Sequence, residues 1–197
     1  MHGHLRYAAV ALAAVGMAFP AFAQFHDENL RQALPPGFKI GFQTQRGPMT
    51  MTEAVPDGEN VEDWSRMITT QVFLGRKGQD PSAFLSGMTG QWQAACPGSS
   101  GSDMRNSHAN GYLVSMVLLR CPLNPATGKP EAAFFRAIAG ADSFYLIQYA
   151  YRAIPTPDQI KAAAQYLGTV NVCDTRTPDH PCMDMKGFAP VAPPTGR

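Results

Sequence analysis

The chain has 197 residues, 45% hydrophobic and 16% charged, with 16 Lys and Arg against 15 Asp and Glu. Near-zero net charge without a basic run excludes an electrostatic grip on nucleic acid or an acidic membrane surface. The length fits a single domain of about 130 to 150 ordered residues, enough to bury a real core.

The first 23 residues read as an export signal. Met1–Tyr7 carries Arg6 and two histidines, Ala8–Phe19 is apolar, Pro20 breaks it, and Ala21-Phe22-Ala23 is a small-x-small cleavage site. The apolar run is too short for a permanent span. Cleavage before Gln24 is expected, and it removes Arg6, leaving a mature chain of zero net charge. The expected location is the periplasm or the exterior, with no stable membrane insertion. The four cysteines, Cys96, Cys121, Cys173 and Cys182, then favour two disulfides. Of the three pairings, Cys96–Cys121 and Cys173–Cys182 are preferred, because each pair is consecutive and closes a loop rich in Gly, Pro, Ser or Asp. No C-x-x-C spacing occurs, which argues against a thioredoxin-type redox site.

Residues 24–36 are a polar lead in which Asn29–Leu34 is expected to form one or two helical turns before Pro35-Pro36. Phe38, Ile40 and Phe42 alternate with polar or small residues as in a half-buried strand, and Met49–Val55 reads as its hairpin partner. Asn60 is expected to cap a short helix that buries Trp64 and Met67. Ile68–Leu74 alternates as a third strand. Asp80-Pro81 starts a helix whose stripe is Phe84, Leu85, Met88, Trp92 and Ala95, and Gly87 and Gly90 within it point either to close packing on a sheet or to a less regular helix. Ser99–Asn110 reads as a loop. Tyr112–Cys121 is apolar on both faces, as in a central strand. Ala132–Ala139 and Phe144–Arg152 follow as the fifth and sixth strands. Thr156-Pro157-Asp158-Gln159 is a capping box opening a helix that Gly168 ends.

The fold class is therefore α+β: one mainly antiparallel sheet of about six strands with two main helices packed on it, spanning residues 37–174. Residues 175–197 are expected to be a flexible tail. The run Thr52-Glu-Ala-Val-Pro-Asp-Gly-Glu59, with Trp64 and Ile68-Thr69-Thr70-Gln71, resembles a motif of an uncharacterised family of exported proteobacterial proteins. The element order resembles the PsbP/Mog1-like sheet. That resemblance implies a binding or accessory module and brings no catalytic residues with it.

Candidate chemistry is sparse. Within the acidic cluster Glu53, Asp57, Glu59, Glu62 and Asp63, turn and helix-start roles account for most members; Glu53 stands out because it interrupts an apolar alternation inside a strand. Asp103, Ser107 and His108 lie too close in sequence to form a triad, whose members need separate rigid supports. No nucleophile elbow, zincin motif or phosphate-cradling glycine loop occurs, and no cofactor is expected. The mature N-terminus Gln24-Phe25-His26 offers an amine, amides and the His26 imidazole to a square-planar Cu(II) or Ni(II), with His180, Cys182, Met183 and Met185 as further soft ligands. Tyr145, Tyr149 and Tyr151 share a strand face and, with Trp92, form a possible ligand face between the sheet and the helix at residues 80–95. The reading is an exported non-catalytic binding domain of the cell envelope, its partner an envelope protein or a small ligand. The alternatives are an enzyme with a dispersed site near Glu53 and His108, and a copper- or nickel-binding protein.

Overall fold

The computed structural model describes residues 27–182. Residues 1–26, which include the expected export signal, Gln24 and His26, and residues 183–197 lie outside the described residues. Within them the strands are β1 (Glu28–Arg31), β2 (Phe38–Arg46), β3 (Met49–Pro56), β4 (Arg66–Phe73), β5 (Ser100–Gly101), β6 (Arg105–Ala109), β7 (Tyr112–Asn124), β8 (Lys129–Ala139), β9 (Phe144–Tyr151) and β10 (Asn171–Asp174). The helices are α1 (Pro81–Ala95) and α2 (Pro157–Thr169). The main sheet has eight strands, not six, in the order β2-β3-β4-β9-β8-β7, with β5 and β6 both on the far edge of β7. Every pairing is antiparallel, and β1 with β10 makes a separate two-stranded ribbon.

Strand alternation sorts the core onto the two faces of the sheet. On one face Val114, Leu118, Phe134, Ile138, Tyr145 and Ile147 pack under Ala163 and Leu167 of α2 and Val172 of the ribbon. On the other, Val117, Leu119, Phe135, Phe144 and Leu146 pack under Leu85 of α1. Both helices start on their expected caps. The Asp80 carboxylate accepts from the Ser82 and Ala83 amides, and Thr156 and Gln159 exchange both bonds of the capping box. Gly87 and Gly90 face open space, so they mark no close packing.

Three segments depart from the sequence expectation. Around Asn29 the chain is strand rather than helix, because β10 offers a ladder partner and Leu30 docks on the core; tertiary pairing outweighs local helix propensity. Asn60 makes its cap, its Oδ1 accepting from Glu62 N at 3.0 Å and Asp63 N at 2.8 Å, yet no helix follows. The Glu59 carboxylate accepts from Ser65 N at 2.6 Å and Ser65 Oγ at 2.7 Å, folding the segment back as a closed loop. The stretch read as loop before Asn110 contains β5 and β6, joined to β7 through Asn110 and Gly111, at φ 48° and 81°.

Residues 175–182 are fastened to the domain. Cys173–Cys182 closes, the His180 ring stacks on Tyr112 at 4.1 Å, and Arg176 bonds Asp174 and Asp142. Cys96–Cys121 ties the end of α1 to β7, so both expected pairings are present, with Cα atoms 5.8 and 5.0 Å apart.

Candidate functional site

An α-helix is about 10 Å across and strands sit about 4.8 Å apart, so one helix covers roughly two strands. Helix α1 lies over β7 and β8. Its Phe84 also reaches Phe73 at the end of β4, with ring centroids 6.0 Å apart, and the rest of the same face of β2, β3 and β4 lies beyond the helix. Successive rows of the ladder across this open shelf are Phe42–Glu53–Thr69–Gln148, Thr44–Met51–Gln71–Leu146 and Arg46–Met49–Phe73–Phe144.

The shelf owes its outer rim to a β-bulge. The register shifts between Ile40 and Phe42, so two residues of β2 answer one of β3 and the side-chain parity reverses. Phe38 and Ile40 therefore point to the α2 side, and Phe42 to the α1 side; the single-face alternation read from the sequence ends at Gly41. Ile40 and Phe42 remain 44% and 40% exposed. Gly41 is needed there, since a Cβ would lie 2.9 Å from Val61 Cγ1. In the shelf floor, half-buried Glu53 has its pKa raised above the ordinary glutamate value by burial. Beside it, Gln71 reaches toward the Met51 sulfur at 3.8 Å.

Loop 57–65 closes one end of the shelf and frames an open cleft of about 340 Å³, lined by Glu59, Asp63, Trp64, Ser65, Lys129 and Arg152. The Arg152 guanidinium lies 4.2 Å over the Trp64 ring and donates to Glu62 O at 3.0 Å. Asp63 stands 3.7 Å from Arg152 and 3.8 Å from Lys129. Two cations, two carboxylates and an indole make this a polar recognition surface. Its one hydroxyl, Ser65, donates to Glu59 Oε1 at 2.7 Å, and the same carboxylate accepts from the Ser65 amide, so this pair holds the loop closed.

The three tyrosines do share a face, but it is the α2 face, whereas Trp92 belongs to α1 and packs from it onto the opposite side of the sheet, edge-on to Phe135 at 5.8 Å. They form no common pocket. Tyr145, Tyr149 and Tyr151 are buried; Tyr145 donates to Glu28 Oε1 at 2.9 Å and Tyr151 to Gln159 O at 2.9 Å. Burial first, then the Glu28 charge, pushes the Tyr145 hydroxyl far above the ordinary phenol value. Cys96 and Cys121 line a second hollow of about 60 Å³ with Trp92, Ala95 and Asn124.

Glu53 on β3 and His108 on β6 are five strand steps apart, about 24 Å, so they share no site. His108 is exposed beside Leu113. Among the described residues no cluster of three or more His, Cys, Asp or Glu side chains is arranged to hold a metal, and His26 lies outside them. Also among the described residues, no helix is long and apolar enough to cross a membrane.

A second carboxylate went unnoticed in the sequence. Glu28 of β1 accepts from Ala141 N, from Asp142 N at 3.1 Å and from Ser143 N at 3.0 Å, in addition to the Tyr145 hydroxyl. The β8–β9 turn is thus an anion nest filled by the chain's own side chain. Gly140 beside it has no room for a Cβ, which would meet the Glu28 carboxylate and lie 2.7 Å from Ser143 O.

Fold and site together define an α+β domain, closed by two disulfides, with a half-uncovered sheet face. No family model matches the chain, and no curated protein matches it. Among solved structures it is similar to the Ran-binding protein Mog1p of Saccharomyces cerevisiae, at 11% identity and a TM-score of 0.42, over 70% of this chain and 78% of that one. This is a weak structural similarity.

Proposed function

We propose that the protein is an exported accessory module of the cell envelope, without catalysis of its own, that binds a partner protein on the open face of β2–β4. The observation that carries this reading is the uncovered shelf itself. Phe42, Met49 and Met51 surround the partly desolvated Glu53 with no layer of the chain above them. Apolar area left open beside a single carboxylate suits a partner surface with an apolar centre and one cation facing Glu53. Two disulfides support maturation in an oxidising compartment. The distance between Glu53 and His108 counts against the enzymatic alternative.

The test is site-specific photocrosslinking in the intact envelope, with the reactive residue at position 51 and a control at exposed Leu123. A discrete adduct from position 51, absent from position 123 and lost with Phe42→Asp, is the expected result. Adducts that ignore position, or that survive Phe42→Asp, refute the proposal. Turnover of a substrate abolished by Glu53→Gln would refute its non-catalytic half.

The cleft at Trp64 favours a second reading, in which a small polar ligand stacks beside the Arg152–Trp64 pair. Quenching of tryptophan fluorescence by such a ligand, abolished by Trp64→Leu but unaffected by Phe42→Asp, distinguishes it.

A further inference from the structure

On the α2 side of the sheet one buried charge has no described counterpart. Arg136 of β8 sits among the core residues of that face, 6% exposed, and its Nε has no hydrogen-bond partner. No described carboxylate pairs with it, and burial alone lowers its pKa. A guanidinium remains protonated even so, and an unpaired buried charge is among the costliest features a core can hold. The carboxylate that this face does supply, Glu28, is already occupied by the 141–143 amides and Tyr145.

The ladder places a second arginine in the same row. Arg105 of β6 pairs with Met116 of β7, and Met116 pairs with Arg136. Two strand steps separate their backbones by about 10 Å, a gap that two arginine side chains span toward each other. Arg105 is exposed and, among the described residues, takes part in no ion pair. Arg120 stands on the same face four residues along β7, about 13 Å away, and is likewise unpaired. Strand β7 is covered on this face, its Val114 and Leu118 buried in one cluster with Ala163 and Leu167 of α2, so what the face leaves open is the β6 margin that carries Arg105. A buried cation in one row with an exposed cation at the sheet margin, and a half-buried one further along the same face, has the composition of an oxyanion site.

We propose that this margin binds a small ligand through a carboxylate or phosphate group, with Arg136 as the enclosed anchor and Arg105 closing over it from β6. The planar guanidinium fork of Arg136 would take two ligand oxygens, and Arg120 would add to the field that draws the anion in.

The experiment titrates the mature protein with inorganic phosphate and, separately, with citrate, holding ionic strength constant. It follows the arginine Nε–H resonances by NMR and the melting temperature. A saturable shift of the Arg136 resonance and a Tm that climbs with ligand concentration are expected. Arg136→Met should abolish both responses, and in anion-free buffer it should melt no lower than the wild type, because it removes an unpaired charge. Arg105→Ala, at an exposed position where folding is not at stake, should weaken binding roughly tenfold. A response to phosphate alone assigns a phosphorylated ligand, to citrate alone a carboxylated one, and to both an oxyanion site without preference. No saturable shift, or an equal response from the wild type and Arg105→Ala, overturns the proposal.

Discussion

Replacing Glu28 tests whether the N-terminal strand is clamped by its carboxylate or merely by the two-stranded ribbon. The side chain reaches from β1 into the β8–β9 turn and accepts four hydrogen bonds, from the amides of Ala141, Asp142 and Ser143 and from the Tyr145 hydroxyl. A hydrogen bond to a charged group is worth about 1.5–3 kcal/mol, but four on one carboxylate do not add. On Glu28→Ala, the Ala141 amide is exposed and regains water, while Ser143 and Tyr145, 6% and 3% exposed, keep stranded donors. Two buried donors left unsatisfied put the loss at about 3 kcal/mol. For a domain of this size that is a fall in Tm of about 6–12 °C. Glu28→Gln keeps one accepting oxygen but turns an NH₂ group against N–H donors, so it should lose about half as much. Calorimetry measures the fall, and hydrogen exchange at residues 141–143 reports the turn directly. Should Glu28→Ala melt within about 2 °C of the wild type, or should those amides exchange freely in the wild type, the clamp is not a source of stability.

The remaining predictions probe other links. Reducing Cys96–Cys121, which closes 25 residues, should cost about 3.5 kcal/mol in the chain-entropy model, against about 2.6 kcal/mol for the 9-residue Cys173–Cys182 loop; denaturant melts of the two double-serine variants give the ranking. Because burial raises the Glu53 pKa, its ionised form is disfavoured on folding, so stability is lost as pH rises through the carboxylate range. Glu53→Gln should therefore melt slightly higher than the wild type at neutral pH, and the difference should vanish below the ordinary value of 4.5. The Asp174 carboxyl is held below its usual range, first by its hydrogen bond from Arg176. That stability is present above about pH 3.8 and lost as pH falls through the lowered value, so the Tm deficit of Arg176→Met should shrink in acid. Gly41→Ala must displace Val61 and disturb the bulge; it should destabilise by about 1–3 kcal/mol by calorimetry and weaken whatever binds at Phe42.

Local chemistry made parts of the fold legible. Thr156–Gln159 and Asp80-Pro81 start helices because a side-chain oxygen and a proline fix the first turn without outside help. The run Tyr112–Cys121 reads as central because both of its faces need cover. What failed were the edges. Strand β6 is polar and largely exposed, so Arg105–Ala109 shows no alternation; the Asn110-Gly111 dipeptide, a hairpin turn in its own right, was the signal that marked it. Gly41, inside a strand pattern, was likewise the sign of a bulge, and the bulge put Phe42 on the face opposite Ile40.

The site was harder to read for a different reason. Alternation shows that Tyr145, Tyr149 and Tyr151 share a face, but it does not say which helix covers that face, and the choice separated them from Trp92. Openness is a property of the whole assembly. With β5 and β6 sharing one edge of β7, the sheet is seven strands or about 29 Å wide, and one helix about 10 Å across cannot roof a face of it. On the α2 side the β1–β10 ribbon supplies part of the missing cover, at the expense of tying up Glu28. On the α1 side the cover over β2–β4 is partial, supplied by loop 57–65 at one end and by Phe84 of α1 against Phe73 at the other. Glu53, half-buried on the β2–β4 face, and Arg136, buried two strand steps from the open β6 edge, are both charges withdrawn from water without a described ion-pair partner. A sheet too wide for its two helices is thus the physical origin of both candidate binding surfaces, and narrowing it would remove them together.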